Sequence, residues 1–318
     1  MVRPILFSIG NFYVGSYAAM MFIAVLIAIV STFIRARKRA VDTSFLAPVL
    51  TVGLICGWLL SRASQLIDPV ARSAGWRVFS PMQGGGGSLT YFGIGAAVGL
   101  VIFLLVRRKP VIVFADAIAP SILFAVGIAK IGCLMSGCCE GAVCSNAFGI
   151  TYPYGSSVHE HHLARGLVRV PDDLKRVDPD PNSVRRTLGH MQILQYESAF
   201  AEQNGSDEKN GATPELVARA AGHRSMTVWP VPILTSIAAI VCGIAAEVIY
   251  RKSKRPGVTF AFVLCAYGAI RLTLDWLLAE RSYVHYGLSA AQWIGLFALL
   301  AGMALYIAKS RSIELNSE

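Results

Sequence analysis

The sequence predicts an all-α polytopic membrane protein with about seven transmembrane helices, an outside N-terminus and a cytoplasmic C-terminus. Its 318 residues are 54% hydrophobic and only 15% charged, and the mean hydropathy is +0.54. Soluble globular domains carry about 25% charged residues, so this deficit indicates a chain that meets lipid. Apolar runs of membrane-spanning length recur, and basic residues cluster between alternate runs.

The apolar runs are the predicted transmembrane helices. They occupy 13–34, 45–66, 88–106, 112–135, 228–250, 258–278 and 287–308. Backbone groups in hydrocarbon must form hydrogen bonds within the protein, and runs of this length and uniform apolarity are helices rather than barrel strands.

The orientation follows from the short loops. The first, third and fifth loops and the tail are predicted to face the cytoplasm because they hold most of the basic residues, namely Arg35, Arg37, Lys38, Arg39, Arg107, Arg108, Lys109, Arg251, Lys252, Lys254, Arg255, Lys309 and Arg311. The formal net charge of +10 therefore reflects the basic residues of the predicted cytoplasmic loops. Clusters beside apolar runs do not form a phosphate-tracking surface, and no nucleic-acid partner is expected.

The predicted division has three parts. Residues 1–141 form a first membrane part with four helices, 142–227 form a polar extracytoplasmic insertion, and 228–318 form a second membrane part with three helices. Turn-rich stretches near 172–186 and 203–214 are expected to be disordered parts of a small head, or linkers.

Charged side chains inside the spans mark a candidate site, because such charges are costly in a bilayer. Arg62, Lys130 and Arg271 are predicted to lie at one depth near the outer face, and Asp275 shares a helix face with Arg271. Only Asp116 lies near an inner end. Unmatched positive charge at this depth favours an anionic lipid headgroup, and guanidinium binds phosphate through two hydrogen bonds. The alternative is that these residues snorkel to headgroups or hold helices together.

Tyr17 and the glycine run 84–87 belong to the same predicted outer layer. Tyr17 contacts lipid or anchors the first helix as part of the aromatic belt. The glycines allow close approach of a ligand, or form a flexible loop.

Cysteines are concentrated beside the fourth span, at Cys133, Cys138, Cys139 and Cys144. A disulfide from Cys144 to Cys138 or Cys139 is predicted outside the membrane. The paired spacing typical of zinc sites is absent, so neither a metal nor another cofactor is expected. A packing role is the alternative for Cys133.

Two motifs stand in the last two predicted spans: residues 267–275 read YGAIRLTLD and residues 287–293 read GLSAAQW. These motifs resemble those of the bacterial prolipoprotein diacylglyceryl transferases. The family has a Tyr-Gly-x-x-Arg-x-x-x-Glu helix followed by Gly-Leu-Ser-x-x-Gln-Trp. Residues 115–120 (ADAIAP), followed by 130–133 (KIGC), are similar to the family's Asp-Ala-x-Ala-Pro and Arg-Ile-Gly-Asn stretches.

The resemblance implies a multi-pass enzyme of the bacterial cytoplasmic membrane. Its partners would be phosphatidylglycerol, the lipobox peptide of a prolipoprotein and membrane lipids. Diacylglycerol would pass to the lipobox cysteine at the outer face while glycerol phosphate leaves. The implied catalytic residues are Arg271, Lys130 and Asp275. The implied substrate-binding residues are Tyr17, Arg62, Tyr91, Phe92, Cys133 and Gly141.

The sequence departs from the family pattern at the proton-transfer positions. Tyr91 or Phe92 stands where the family has a histidine, Cys133 replaces its asparagine, and Cys138 replaces its glutamate. Glu140 and the histidines 159, 161 and 162 are candidates for a substitute base, or are ordinary surface residues.

Three functions stay open on these grounds. The first is the transferase just described. The second is a phospholipid-dependent transferase with another acceptor, in which one of the protein's own cysteines takes part. The third is a non-catalytic lipid-binding accessory protein of the envelope.

Overall fold

The computed structural model describes residues 5–9, 12–39, 41–67, 79, 89–171, 222–253, 255–279 and 284–314, which are mostly helical. The predicted disordered stretches 172–186 and 203–214 and the glycine run 84–87 lie outside these described residues. In chain order the elements are β1 (Ile5–Ile9), β2 (Phe12–Gly15), α1 (Ser16–Lys38), α2 (Thr43–Ala63), α3 (Leu89–Val106), α4 (Val111–Ser136), α5 (Ser157–Ala164), α6 (Val231–Lys252), α7 (Val258–Leu274) and α8 (Ala290–Glu314).

The long apolar helices confirm the predicted fold class. Among the described residues, six helical segments are long and apolar enough to cross a membrane: Ser16–Lys38, Thr43–Leu66, Val111–Ser136, Val231–Lys252, Val258–Leu277 and Ala290–Ser310. Thr90–Val106 is apolar but shorter, and it occupies the place of the predicted third span. The orientation and the three-part division stay predictions.

Large apolar side chains face outward along these helices. Phe22 is 70% exposed, Val106 74% and Phe297 64%. Exposure of so many large apolar side chains would be unfavourable in water, whereas it is favourable for a helix that is surrounded by acyl chains. The outward faces are therefore the lipid-facing surfaces.

A hairpin precedes the first helix, and the sequence did not predict it. Strands β1 and β2 pair antiparallel from Ile5 opposite Gly15 to Ile9 opposite Phe12. Helix α1 therefore begins at Ser16, three residues later than the start at 13 that the hydropathy suggested.

The chain forms two compact units, and helices α1, α4, α6, α7 and α8 contribute to both. The second unit comprises 26–123, 242–268 and 296–318. Its apolar core includes Leu46, Leu104 and Phe114, all at most 2% exposed.

Buried charges of the second unit join its helices. The Arg35 guanidinium, 4% exposed, forms an ion pair with Glu247 at 3.0 Å, and its Nε donates to the Ala117 carbonyl at 2.9 Å. Asp116 accepts backbone N–H groups of Gly257 and Phe260 at 2.5 and 2.7 Å. It thereby satisfies donors that the start of α7 would leave unpaired. Arg35, which the sequence treated only as a topology marker, is a structural residue.

The first unit comprises 1–25, 124–241 and 269–295. Here the described part of the polar insertion folds back against the start of α6 through short bridges, including Val143 and Ile150 with Val228. Tyr152, Val158 and Val228 form its small core. The candidate site lies in this unit.

Candidate functional site

The end of helix α4 brings three cysteines together. Gly137 ends the helix with a φ of 68°, a left-handed conformation that glycine adopts without strain. The N–H of Gly137 donates to Leu134 at 3.3 Å and that of Cys138 donates to Cys133 at 3.2 Å. These two bonds form a Schellman motif, in which the side chains at the positions of Cys133 and Cys138 come into contact.

The next residue completes the cluster. The sulfur atoms of Cys133, Cys138 and Cys139 all lie within 4.8 Å of one another. Cys133 is buried, Cys139 is half-buried and Cys138 is exposed. Four residues separate Cys133 from Cys138, a spacing that the sequence analysis took as evidence against a zinc motif. It is the spacing of the turn that ends α4, and a sequence analysis that recognised this turn would have predicted the cluster.

Cys144 does not join this cluster, and the predicted disulfide is wrong. All seven cysteines are free thiols. The Cys144 Sγ lies 3.5 Å from Asn146 Oδ1 and 2.9 Å from the position that a Cβ on Gly149 would take. The turn after α4 therefore directs Cys138 and Cys139 to Cys133, while the following chain carries Cys144 elsewhere.

Lys130 lies one helical turn before Cys133 and contacts the cluster. Its Nζ is 3.6 Å from the Sγ of Cys139. Hydrogen bonds from Cys133 and Cys138, followed by the charge of Lys130, hold the pKa of Cys139 below the ordinary value of a thiol. Cys139 is therefore the member of the cluster that carries negative charge most readily.

Arg271 and Asp275 form the ion pair that their spacing predicts. Arg271 Nη1 lies 3.6 Å from Asp275 Oδ1, and the Asp275 side chain is only 3% exposed. The hydroxyl of Ser289 also donates to Asp275. Arg271 is close enough to Lys130 for the two charges to repel each other. Two of the three predicted cations are thus neighbours in one unit.

The GLSAAQW segment has a clear physical role. The N–H of Ser289 donates to Gln292 Oε1 at 2.9 Å, and the Gln292 N–H donates to Ser289 Oγ at 3.1 Å. This reciprocal pair is a capping box that starts helix α8. Because the same hydroxyl bonds to Asp275, the start of α8 fixes the carboxylate that faces Arg271.

Tyr17 lies beside the cysteine cluster. A Cβ on Gly132 would come within 2.9 Å of Met20 Cβ and 3.4 Å of Tyr17 Cα, so α1 and α4 pack closely there. The Tyr17 side chain interacts electrostatically with all three cysteines. The structure thus brings together Tyr17, Lys130 and Cys133 of the predicted site.

Gly141 has a structural position. Its Cβ would overlap the backbone of Trp229. The neighbouring Ala142 donates to Leu277 at 2.8 Å and accepts from Trp229 at 3.0 Å. The segment is held between two stretches of backbone, and only glycine fits.

Arg62, Tyr91 and Phe92 belong to the second unit. The backbone and ring of Phe92 approach the position of a Cβ on Gly57, so Phe92 packs against α2, while Tyr91 is 38% exposed. Arg62 lies in the last turn of α2. Its convergence with Lys130 and Arg271 stays a prediction.

The sequence suggested Glu140, His161 and His162 as candidates for a substitute base, and both histidines are bonded to Glu140. Glu140 lies 3.0 Å from His161 Nδ1, 3.1 Å from His162 Nε2 and 3.4 Å from Arg165. The Met226 N–H donates to His162 Nδ1, so the Nε2 of this buried imidazole carries the proton that bonds Glu140. Both nitrogens of His162 are occupied, which indicates a structural role rather than that of a free base.

Comparison with known proteins gives the family. The family model described as prolipoprotein diacylglyceryl transferase matches residues 4–308. The chain belongs to this family. The predictions of a multi-pass protein of the bacterial cytoplasmic membrane and of a transferase family are thereby confirmed.

Individual members of the diacylglyceryl transferase family show the extent of similarity. A phosphatidylglycerol–prolipoprotein diacylglyceryl transferase of Rhodopirellula baltica is 23% identical over 356 residues, covering 86% of this chain and 72% of the relative. One from Dehalococcoides mccartyi (strain ATCC BAA-2266) is 34% identical over 172 residues, covering 49% of this chain and 63% of the relative. A Clostridium perfringens protein, with the same name followed by 2, is 30% identical over 164 residues, covering 49% and 61%. The higher identities thus cover about half of this chain.

Proposed function

We propose that the protein transfers the diacylglyceryl group of phosphatidylglycerol to the lipobox cysteine of prolipoproteins at the outer face of the cytoplasmic membrane. The observation that carries this proposal is that Lys130 and Arg271 are neighbours in one unit, with the buried carboxylate of Asp275 beside Arg271. Two neighbouring cations favour the binding of a phosphodiester anion. The family membership and the names of the relatives support the same reaction.

The roles of the charged groups follow from the bonds that change. A thiolate attacks a glyceryl carbon, the carbon–oxygen bond breaks, and the electron pair leaves with the phosphate of glycerol phosphate. Arg271 is suited to bind this phosphate because Asp275 and Ser289 fix its orientation. Lys130 supplies a second positive charge near the cysteine cluster, where a thiol would react.

An apolar groove beside Lys130 suits a lipid substrate. A cavity of about 110 Å³ lies between Lys130, Ile131 and Leu134 of α4 and Ile233 and Ile237 of α6. If an acyl chain of the lipid occupied the groove, the phosphate on its glycerol would lie close to the Lys130 ammonium. Tyr17 lies against Gly132 of α4, where it would contact the lipid or the leaving group.

The test is complementation of a bacterial strain depleted of its own diacylglyceryl transferase, with mass spectrometry of a reporter lipoprotein. Wild type should restore the thioether product. Arg271→Ala should lower the rate of lipidation by about 10²-fold, since one charged stabiliser of the leaving group is lost. Arg271→Lys should retain part of it. The control is Arg37→Ala, which removes an exposed cation elsewhere.

Two negative outcomes have different meanings. A folded protein that lipidates no reporter, yet consumes phosphatidylglycerol in vesicles, would indicate another acceptor. One that binds phosphatidylglycerol vesicles without any turnover, and equally well after Arg271→Ala, would indicate a lipid-binding accessory protein.

A further inference from the structure

We propose that Cys133, Cys138 and Cys139 bind one zinc ion and leave its fourth position open for a substrate thiol. Three thiolates around tetrahedral zinc, each at about 2.3 Å, have sulfur atoms about 3.8 Å apart. The three sulfur atoms here already lie within 4.8 Å of one another. Small side-chain rotations therefore suffice to form the site.

The backbone forms this arrangement independently of a metal. The Schellman bonds from Gly137 and Cys138 to the last turn of α4 place two of the ligands, and Cys139 follows immediately. A site whose ligands are held by main-chain hydrogen bonds loses little conformational freedom when it binds an ion. The structure thus supplies a preorganised trio of soft ligands, which select zinc over magnesium or calcium.

Neighbouring groups match the charge that such a site would have. Zinc with three thiolates carries one net negative charge, and the Lys130 ammonium lies 3.6 Å from the Sγ of Cys139. The Tyr152 hydroxyl is buried and has no hydrogen-bond partner among the described residues, yet it interacts electrostatically with all three cysteines. A cation in contact with a thiolate ligand, as Lys130 is here, orients the ligand and offsets its charge.

The fourth position has no obvious ligand in the described part of the chain. Cys144 lies against Asn146, and Glu140 and His162 are bonded to each other. Zinc sites with three protein ligands are typically catalytic, whereas structural zinc sites have four. The cluster therefore has the composition of a reactive site, in contrast to the expectation of no metal drawn from the spacing.

The site would solve a chemical problem of the proposed function, on which this inference rests. A thiol must lose its proton before it can attack carbon. A thiol that occupies the open position gives its proton to water and remains as a thiolate, because zinc strongly favours the deprotonated ligand. That thiolate then forms the carbon–sulfur bond while glycerol phosphate leaves with the electron pair. Zinc changes neither its charge nor its oxidation state.

The test begins with metal content, measured without reference to activity. Full-length protein, purified in detergent from cells grown with zinc and without chelator, should contain one zinc per chain by mass spectrometry of the elements. Cys133→Ser, Cys138→Ser and Cys139→Ser should each lower zinc occupancy at least about tenfold at equal free zinc. Cys144→Ser is the matched control and should retain it, because its sulfur lies outside the cluster.

A second measurement uses only the wild-type protein, so its result does not depend on whether the variants fold. The wild-type protein is stripped with a chelator and titrated with zinc while the thiols are labelled with iodoacetamide. One equivalent should slow labelling of the three cluster cysteines and leave Cys144 unaffected. Absence of zinc together with unprotected thiols, copper as the only metal, or a disulfide within the trio in the freshly purified protein would overturn the proposal.

Activity then separates the two proposals. Zinc bound at the trio without any lipidated product would refute the transferase function and leave the metal site standing. Lipidation that continues after complete removal of zinc would refute the role of the zinc site in activating the thiol and leave the function standing. Loss of lipidation on chelation, restored by zinc alone, would support both.

Discussion

The backbone N–H of Cys138 donates to the carbonyl of Cys133 at 3.2 Å, across the turn that ends helix α4. Through this bond a helix terminus also organises a group of reactive side chains. The same principle recurs at the start of α8, where the capping hydroxyl of Ser289 also bonds to Asp275. In each place a short motif caps a helix and also orients a functional group.

Gly137→Ala should disperse the three thiols. Gly137 has a φ of 68°, and a side chain in this left-handed conformation costs about 1–2 kcal/mol. The turn is expected to open, which should lower the zinc affinity of the purified protein by at least about tenfold. Gly93→Ala is the control because its Cβ would meet nothing within 4 Å. Unchanged zinc binding in Gly137→Ala would contradict the role assigned to the turn.

Ser289→Ala should weaken both the start of α8 and the orientation of Asp275. Loss of an N-cap hydroxyl costs about 1 kcal/mol, and the buried carboxylate also loses a donor. Thermal unfolding in detergent should show a lower midpoint, and lipidation should fall further than stability alone accounts for. Ser289→Thr keeps the hydroxyl and should recover most of both.

The control for this helix end is Thr273→Ala. Among the residues that the structure describes, the exposed Thr273 hydroxyl bonds only to carbonyls of its own helix, at 2.8 and 3.4 Å. Its loss should leave lipidation unchanged. An equal loss in both alanine variants would contradict the link between Ser289 and Asp275.

His162→Ala should destabilise the described part of the insertion far more than His161→Ala. His162 is fully buried and bonds both Glu140 and the Met226 backbone, whereas the His161 side chain is 53% exposed. Loss of His162 leaves a buried carboxylate and a backbone donor without this partner, at a cost of about 2 kcal/mol or more. Limited proteolysis within 142–227 measures the difference. Equal cleavage rates in the two variants would contradict it.

Cys139 should stay reactive as the pH falls. Its lowered pKa means that the thiolate persists below the pH at which an ordinary thiol, with a pKa of about 8.5, becomes protonated. In zinc-free protein, its alkylation by iodoacetamide should fall by less than about tenfold between pH 8 and pH 6. Free glutathione in the same solution should fall about tenfold for each pH unit.

Lys130→Gln tests one cause of that shift. The ammonium favours the thiolate of Cys139, so its removal should raise the pKa and make alkylation fall more steeply toward low pH. The hydrogen bonds from Cys133 and Cys138 remain, so part of the shift should persist. A pH profile identical to wild type would show that Lys130 does not act on Cys139.

The sequence by itself determined the membrane class, the places of the apolar helices and the family, because hydropathy and short motifs are local properties. It also identified the pair Arg271 and Asp275, since a separation of four residues on a helix fixes their proximity. The spacing of the cysteines also predicts the cluster, but only if the helix is known to end at Gly137. A hydropathy pattern does not fix that boundary.

Only the tertiary structure decided which polar residues are partners across the chain. Glu140 meets His162, Ser289 meets Asp275, and Asp116 caps a helix more than 140 residues away. These contacts depend on how helices rotate and pack, which residue periodicity alone does not specify. The same packing separated Cys144 from the other cysteines and buried histidines that the sequence placed in a polar, solvated stretch. The residue types and their spacing along the chain therefore identify candidate functional residues, and the packing of the helices decides which of these residues are in contact.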